Sequence, residues 1–66
     1  MNSLHTETLL AIIDKGSFEG AAAVLGITPS AVSQRIKALE VSTGRILLRR
    51  GTPVTVTEAG EIVAQA

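Results

Sequence analysis

The chain has 66 residues, a formal net charge of zero at pH 7, no cysteine and one histidine, His5. This length allows one small domain, and the composition excludes disulfides, cysteine zinc sites and histidine clusters. Phe18 is the single aromatic residue, so the core must be built from aliphatic side chains. No signal peptide and no apolar run near the ~20 residues that span a bilayer can be recognised. We therefore expect a cytoplasmic protein without a membrane partner.

Charge is segregated along the chain although the total is zero. Residues 1–28 carry a net charge of −2, and residues 51–66 carry the same. Residues 29–50 carry five basic residues against one acidic residue, a net charge of +4. A basic segment of this kind is the electrostatic footprint of a protein that binds a polyanion.

Apolar residues at helical spacing predict a first helix over Ser3–Asp14. Leu9, Ile12 and Ile13 form its apolar face, and Gly16 is a suitable stop. A second helix follows Ser17 as N-cap and ends at Gly26. Its apolar positions, also at helical spacing, are Phe18, Ala21, Ala22 and Leu25.

A third helix is predicted to begin after Thr28 as N-cap, with Pro29 at its first position. It should run to about Ser42 and stop at Gly44. Only about three residues separate it from the second helix. Two short helices joined by a tight turn that contains glycine are typical of a helix-turn-helix.

After the third helix the pattern changes to a hairpin and a last helix. The segments "RILLRR" and "VTV" flank the turn signal "GTP" and predict two short strands. Thr57 then caps "EAGEIVAQA", whose apolar positions are Ala59, Ile62, Val63 and Ala66. The predicted fold is mostly α, a winged helix-turn-helix of three helices, a short β-hairpin wing and the start of a linker helix. We expect residues 1–56 to form this domain and residues 57–66 the linker helix.

The third helix is amphipathic, and its polar face is mild. Val32, Ile36 and Leu39 form an aliphatic stripe at helical spacing. Ala31 and Arg35 flank this stripe. The opposite face carries Ser30, Ser33, Gln34 and Lys37.

This polar face suits the major groove of DNA, which admits a helix and presents base-edge donors and acceptors. Gln34 could bond adenine through both amide atoms, and short serine side chains allow a close approach. Basic residues on the flanks would contact phosphates. An ordinary solvated face is the alternative, since Ser, Gln and Lys are common surface residues. The turn before the helix and the hairpin after it favour DNA.

Arg49 and Arg50 precede the predicted wing tip. There they could contact the sugar-phosphate backbone, or they could be solvated charges that deter pairing of an edge strand. The sequence pattern supports both interpretations equally.

The remaining polar residues indicate no other chemistry. His5 is expected at the surface, and Ser33 has no recognisable base beside it. The chain has no glycine-rich phosphate loop. We expect no catalysis and no cofactor or metal site in this chain. The acidic residues are expected to be solvated charges: Asp14, Glu19, Glu40, Glu58 and Glu61.

Several motifs resemble the N-terminal DNA-binding domain of LysR-type transcriptional regulators. They are Gly16-Ser17-Phe18, Ala21-Ala22, Leu25, the run from Thr28 to Ser33, Leu39-Glu40, Gly44, Arg50 and Thr57-Glu58-Ala59-Gly60. The match covers nearly the whole chain. "TPSAVSQRIKALE" and the short wing are most similar to the LysG/ArgP branch, which controls export of lysine and arginine.

The resemblance implies a bacterial transcription factor that binds double-stranded DNA as a homodimer or tetramer. Dimers of this family form through the long helix that would start at Thr57. A larger C-terminal domain, outside this chain, would bind a small-molecule effector such as lysine or arginine. The chain is thus expected to be a fragment of a longer protein, and both a monomer and a weak dimer through exposed Ile62 and Val63 are open. A winged-helix protein-interaction module without sequence-specific DNA binding is the competing interpretation.

The resemblance also implies residue roles. Ser17, Arg35 and Arg50 would lie near phosphates, and the position of Arg49 before the wing tip adds it to this group. The residues implied to face the major groove are Thr28, Pro29, Ser30, Ser33, Gln34 and Lys37.

The sequence departs from the family pattern in two places. Many family wings carry a second basic residue beyond the tip, whereas this wing reads "GTPVTV", which weakens the case for minor-groove reading. Leu9 and Leu48 stand where the family has large aromatic side chains. This second departure changes the volume of the core and leaves the proposed chemistry intact.

Overall fold

A computed structural model describes residues 3–65, which form four helices and a two-stranded hairpin. In chain order they are α1 (Ser3–Lys15), α2 (Phe18–Leu25), α3 (Pro29–Thr43), β1 (Leu48–Arg49), β2 (Thr55–Val56) and α4 (Glu58–Gln65). The predicted winged helix-turn-helix order is confirmed. Ala66, the last apolar position expected in the final helix, lies outside the described residues.

The predicted caps fix the ends of α2 and α3. Ser17 Oγ and Thr28 Oγ1 each accept a hydrogen bond from the backbone N–H three residues later, at 2.9 and 3.1 Å. Gly26 and Gly44 follow the two helices with φ of +70°, a conformation that glycine adopts without a Cβ penalty. These four residues therefore set the length and direction of the helix-turn-helix.

The core lies where α1, α2 and α3 meet, and the hairpin closes it. The buried apolar residues are Leu9, Ile12, Ala21, Ala22, Val32, Ile36, Leu39, Leu47 and Leu48. The expected apolar face of α1 is partly wrong, because Ile13 is exposed whereas Thr8 is fully buried. Thr8 tolerates burial because its hydroxyl donates to the Leu4 carbonyl at 2.8 Å.

The wing is a minimal antiparallel hairpin in which Leu48 pairs with Val56 and Arg49 with Thr55. Strands this short are not stable alone, so their position depends on contacts with the helices. One such contact is the hydrogen bond from Val54 N to the Gly16 carbonyl, at 2.9 Å. It joins the second half of the wing to the loop between α1 and α2.

Glu40 has a structural role, whereas the sequence pattern predicted a solvated charge. Its carboxylate accepts a hydrogen bond from Leu47 N at 2.9 Å, so it is not simply a solvated charge. The residue is half-buried near the end of α3, and Leu47 is fully buried. A buried N–H without a partner is costly, so the carboxylate stabilises the path from α3 into the wing.

The start of α4 is attached to the same residue, Leu47. Thr57 N donates to the Leu47 carbonyl at 3.0 Å, and Thr57 Oγ1 accepts from Gly60 N at 3.1 Å, which confirms the predicted cap. Ile62 is exposed, as expected for the linker helix. Val63 is half-buried and packs against the core, so its expected exposure is wrong.

The Glu40 contact predicts a specific pattern of stability. Glu40→Ala should lower the free energy of unfolding by about 1–3 kcal/mol, because Leu47 N loses its partner. Glu40→Gln keeps an oxygen acceptor and should lose less than half as much. Urea unfolding of both variants followed by circular dichroism measures the difference. Equal losses would show that the charge, rather than the acceptor, matters.

Gly60 gives a second stability prediction. A Cβ at this position would collide with the Leu47 carbonyl oxygen and lie 2.7 Å from Val56 Cγ2. Gly60→Ala should therefore destabilise the fold by about 1–3 kcal/mol, despite the roughly 1 kcal/mol gain in helix propensity. Gly51→Ala is the matched control, since its Cβ would meet only the Pro53 carbonyl oxygen at 3.5 Å. Thermal unfolding that ranks the control below Gly60→Ala would contradict this packing.

Candidate nucleic-acid interface

The exposed side of α3 carries the polar residues that the sequence pattern selected. Gln34 and Lys37 are exposed, and Ser33 is half-buried at the edge of the same face. On the opposite side, Val32, Ile36 and Leu39 are at most 1% exposed. The predicted division of the helix into a core side and a solvent side is therefore present in the structure.

The N-terminus of α3 also lies at the surface. Thr28, Pro29 and Ser30 are all exposed. Thr28 Oγ1 uses a lone pair to cap the helix, so its O–H can still donate to another group. Pro29 has no N–H, and Ala31 N and Val32 N donate to Thr28, so the Ser30 N–H is left at this helix N-terminus to contact an anion such as a phosphate.

A surface cleft of about 600 Å³ joins the start of α2, the start of α3 and the wing. It brings together four of the predicted site residues, Ser17, Pro29, Ser30 and Arg50. The other residues that line it are Gly16, Phe18, Glu19, Gly51, Thr52 and Val54. Residues far apart in the sequence thus form one continuous surface beside the polar face of α3.

Arg50 crosses this cleft toward α2. Its guanidinium carbon lies 4.3 Å from the centroid of the Phe18 ring, within the range of a cation–π contact. In the sequence, Phe18 is an apolar position of α2 and part of the Gly16-Ser17-Phe18 motif, and neither feature predicts a contact with Arg50. No local pattern could reveal the contact, because the hairpin has to fold back onto α2 before the two side chains meet.

The other two arginines of the predicted site lie outside the cleft. Arg49 is exposed on β1, opposite in direction to buried Leu48. Arg35 is half-buried and donates from Nη1 to Thr8 Oγ1 on α1 over 3.4 Å. That distance exceeds the usual range, so the bond is weak and a stronger acceptor could replace it.

The basic side chains of this surface are not neutralised by acidic partners in the described residues. Over residues 3–65, none of the five basic side chains between residues 29 and 50 forms an ion pair; the one salt bridge found joins Lys15 and Asp14 at 3.7 Å. The basic middle third therefore presents uncompensated positive charge. Glu19 is the acidic residue of the cleft lining.

Two features are absent from the same described part of the chain. No cluster of three or more potential metal ligands was found there. No helix there is long and apolar enough to cross a bilayer.

The capped helix pair, the polar face of α3 and the short hairpin define a winged helix-turn-helix module of the DNA-binding type. The family model described as "Bacterial regulatory helix-turn-helix protein, lysR family" matches residues 4–61. The chain belongs to the LysR family of bacterial helix-turn-helix regulators.

Individual relatives support the expected branch of this family. The lysine export transcriptional regulatory protein LysG of Corynebacterium efficiens is 62% identical over 66 residues, which is 100% of this chain and 23% of that protein. The structure of full-length LysG from Corynebacterium glutamicum with bound effector Arg superimposes with a TM-score of 0.95 at 58% identity. It covers 98% of this chain and 22% of LysG. The resemblance to the LysG/ArgP branch is thus confirmed.

A third comparison concerns a complex with DNA. The BenM DNA-binding domain bound to catB site 1 DNA superimposes with a TM-score of 0.91 at 35% identity, covering 98% of this chain and 73% of that one. This match confirms the fold. The roles of individual residues in this chain stay predictions.

Proposed function

We propose that this chain binds double-stranded DNA sequence-specifically, as the DNA-binding part of a LysR-family transcriptional regulator. The observation that carries the proposal is the surface on which the polar face of α3 adjoins the cleft between α2 and the wing. That surface combines short hydrogen-bonding side chains with unpaired positive charge. A single helix with such a polar face fits into the major groove of DNA.

The proposal divides the surface into two kinds of contact. Gln34, Ser33 and Lys37 face base edges in the major groove, where an amide can bond adenine through two atoms. Thr28, Pro29 and Ser30 bring the start of the helix close to the groove. Ser17 and Arg50, with Arg49 and Arg35 further out, contact phosphates, which position the module without reading sequence. The proposal assigns no catalysis to any residue.

The proposal extends to the longer protein. The chain spans 23% of the length of the LysG relative from Corynebacterium efficiens. We infer that α4 starts a linker and dimerisation helix at Thr57 and that the whole protein forms homodimers or tetramers. Its effector would be a basic amino acid, and it would control export of such amino acids. The name of that relative and the arginine bound to full-length LysG support this inference.

A salt titration tests the proposal first. Affinity for duplex DNA should fall by roughly 0.9 log units per log unit of salt for each phosphate neutralised. Arg50→Ala should lower that slope by about one contact. Arg45→Ala is the matched control, since Arg45 is an exposed arginine outside the cleft. Fluorescence anisotropy at several salt concentrations measures the slopes.

Two results of that titration would count against the proposal. A wild-type chain whose affinity shows no salt slope would favour the protein-interaction module over DNA binding. Equal changes for Arg45→Ala and Arg50→Ala would contradict the placement of DNA at the cleft while leaving DNA binding itself in place.

Sequence readout gives a separate prediction. Gln34→Ala should weaken binding to a preferred duplex, selected from a random library, by about 1–3 kcal/mol and should barely change binding to random duplexes. Arg50→Ala should weaken both duplexes similarly, because phosphates carry no sequence information. Gln34 is exposed, so thermal stability should not change. If both variants lose the same affinity on both duplexes, the division between bases and phosphates is wrong.

A further inference from the structure

Phe18 and Arg50 form a pair within the cleft. Phe18 is the first residue of α2 and half-buried, and the guanidinium of Arg50 lies over its ring at 4.3 Å from the centroid. Both side chains line the cleft together with Ser17. The single aromatic residue of the chain therefore touches the wing arginine proposed to contact DNA.

We propose that Phe18 is a positioning residue that holds Arg50 ready to bind a DNA phosphate. The inference rests on the proposed function, because it assigns Phe18 a role that acts through Arg50. Phe18 also packs against the core. Packing against the core holds the ring in place, and the ring in turn restrains the arginine.

The chemistry of arginine permits this double contact. A guanidinium is planar, so it can stack on an aromatic face while its N–H groups, which lie in its own plane, remain available to a phosphate. An ammonium group has no such plane and is more strongly hydrated. The arrangement is therefore specific to arginine at residue 50.

The contact with Phe18 raises affinity for DNA by preorganising the Arg50 side chain. A flexible side chain that becomes ordered only on binding loses rotamer freedom, which weakens the complex. Arg50 directly follows the two-residue strand β1 and is exposed. Contact with Phe18 restricts it in the free protein, so less freedom is lost on DNA.

A double-mutant cycle on the 66-residue chain tests the inference, with the duplex selected from a random library as the probe. Phe18→Leu should weaken binding about two- to five-fold, the range expected for an exposed cation–π contact. In the Arg50→Ala background the same substitution should have no effect. Phe18→Tyr keeps the ring and should bind like the wild type.

The outcomes of the cycle separate the two proposals. If Arg50→Ala weakens binding but Phe18→Leu acts equally in both backgrounds, the positioning role is overturned and the DNA proposal stands. If the wild type itself shows no salt-dependent binding, the proposed function fails first. If Arg50→Ala leaves affinity unchanged, both the phosphate role of Arg50 and the positioning role fail.

A second measurement covers the case in which Phe18→Leu does not fold. In the NMR spectrum of the wild type, the ring should shift the Arg50 side-chain protons upfield. Arg49, the preceding arginine, is the internal control, because the cleft lining that contains Phe18 and Arg50 does not include it. Equal shifts for the two arginines would overturn the inference without any variant, and a shift confined to Arg50 would support it.

Discussion

The fold depends on the way the backbone of Leu47 is held. Its N–H donates to the Glu40 carboxylate of α3, its carbonyl accepts from Thr57 at the start of α4, and its side chain is fully buried. The same carbonyl lies so close to Gly60 that a Cβ there would collide with it. One residue thus joins the third helix, the wing and the last helix. A hairpin of two-residue strands could not hold a fixed position without such attachment.

The consequence for the surface is that the wing and α3 have a defined relative position. A second attachment, from Val54 N to the Gly16 carbonyl, brings the far half of the wing to the start of α2. Arg50 lies between these two attachments and therefore reaches Phe18 and the cleft. The Ser17 hydroxyl, which caps α2, has two uses. Its Oγ accepts a hydrogen bond from the helix, and its O–H remains a donor toward the cleft.

Most of the fold could be predicted from the sequence because its signals are local. Ser17 and Thr28 as caps, Gly26 and Gly44 as stops, and the spacing of Val32, Ile36 and Leu39 each act within one element. What failed depends on contacts that form only when separate elements come together. Glu40 looked like a solvated charge because Leu47 N, its partner, is placed by the turn after α3.

The difference between local signals and contacts between elements also applies to the candidate surface. The polar face of α3 follows from helical spacing, so Gln34 and Lys37 could be placed on the solvent side in advance. Burial of Thr8 could not be predicted, because it depends on α3 packing against α1. Thr8 Oγ1 donates to the Leu4 carbonyl and accepts from Arg35 of α3. The contact between Phe18 and Arg50 requires the wing to fold back onto α2.

A net charge of zero has a physical consequence for the proposed binding of DNA. A neutral module gains no long-range attraction from net charge, and charges beyond the Debye length of about 8 Å are in any case largely screened by salt. Binding must then rely on short-range contacts, where uncompensated basic side chains of α3 and the wing act locally.

One module makes few such contacts, so its affinity for DNA should be low. Linking two modules makes the second binding event intramolecular, which raises overall affinity without any new contact. In the proposed homodimer, a module that makes few contacts is therefore suited to binding two half-sites together.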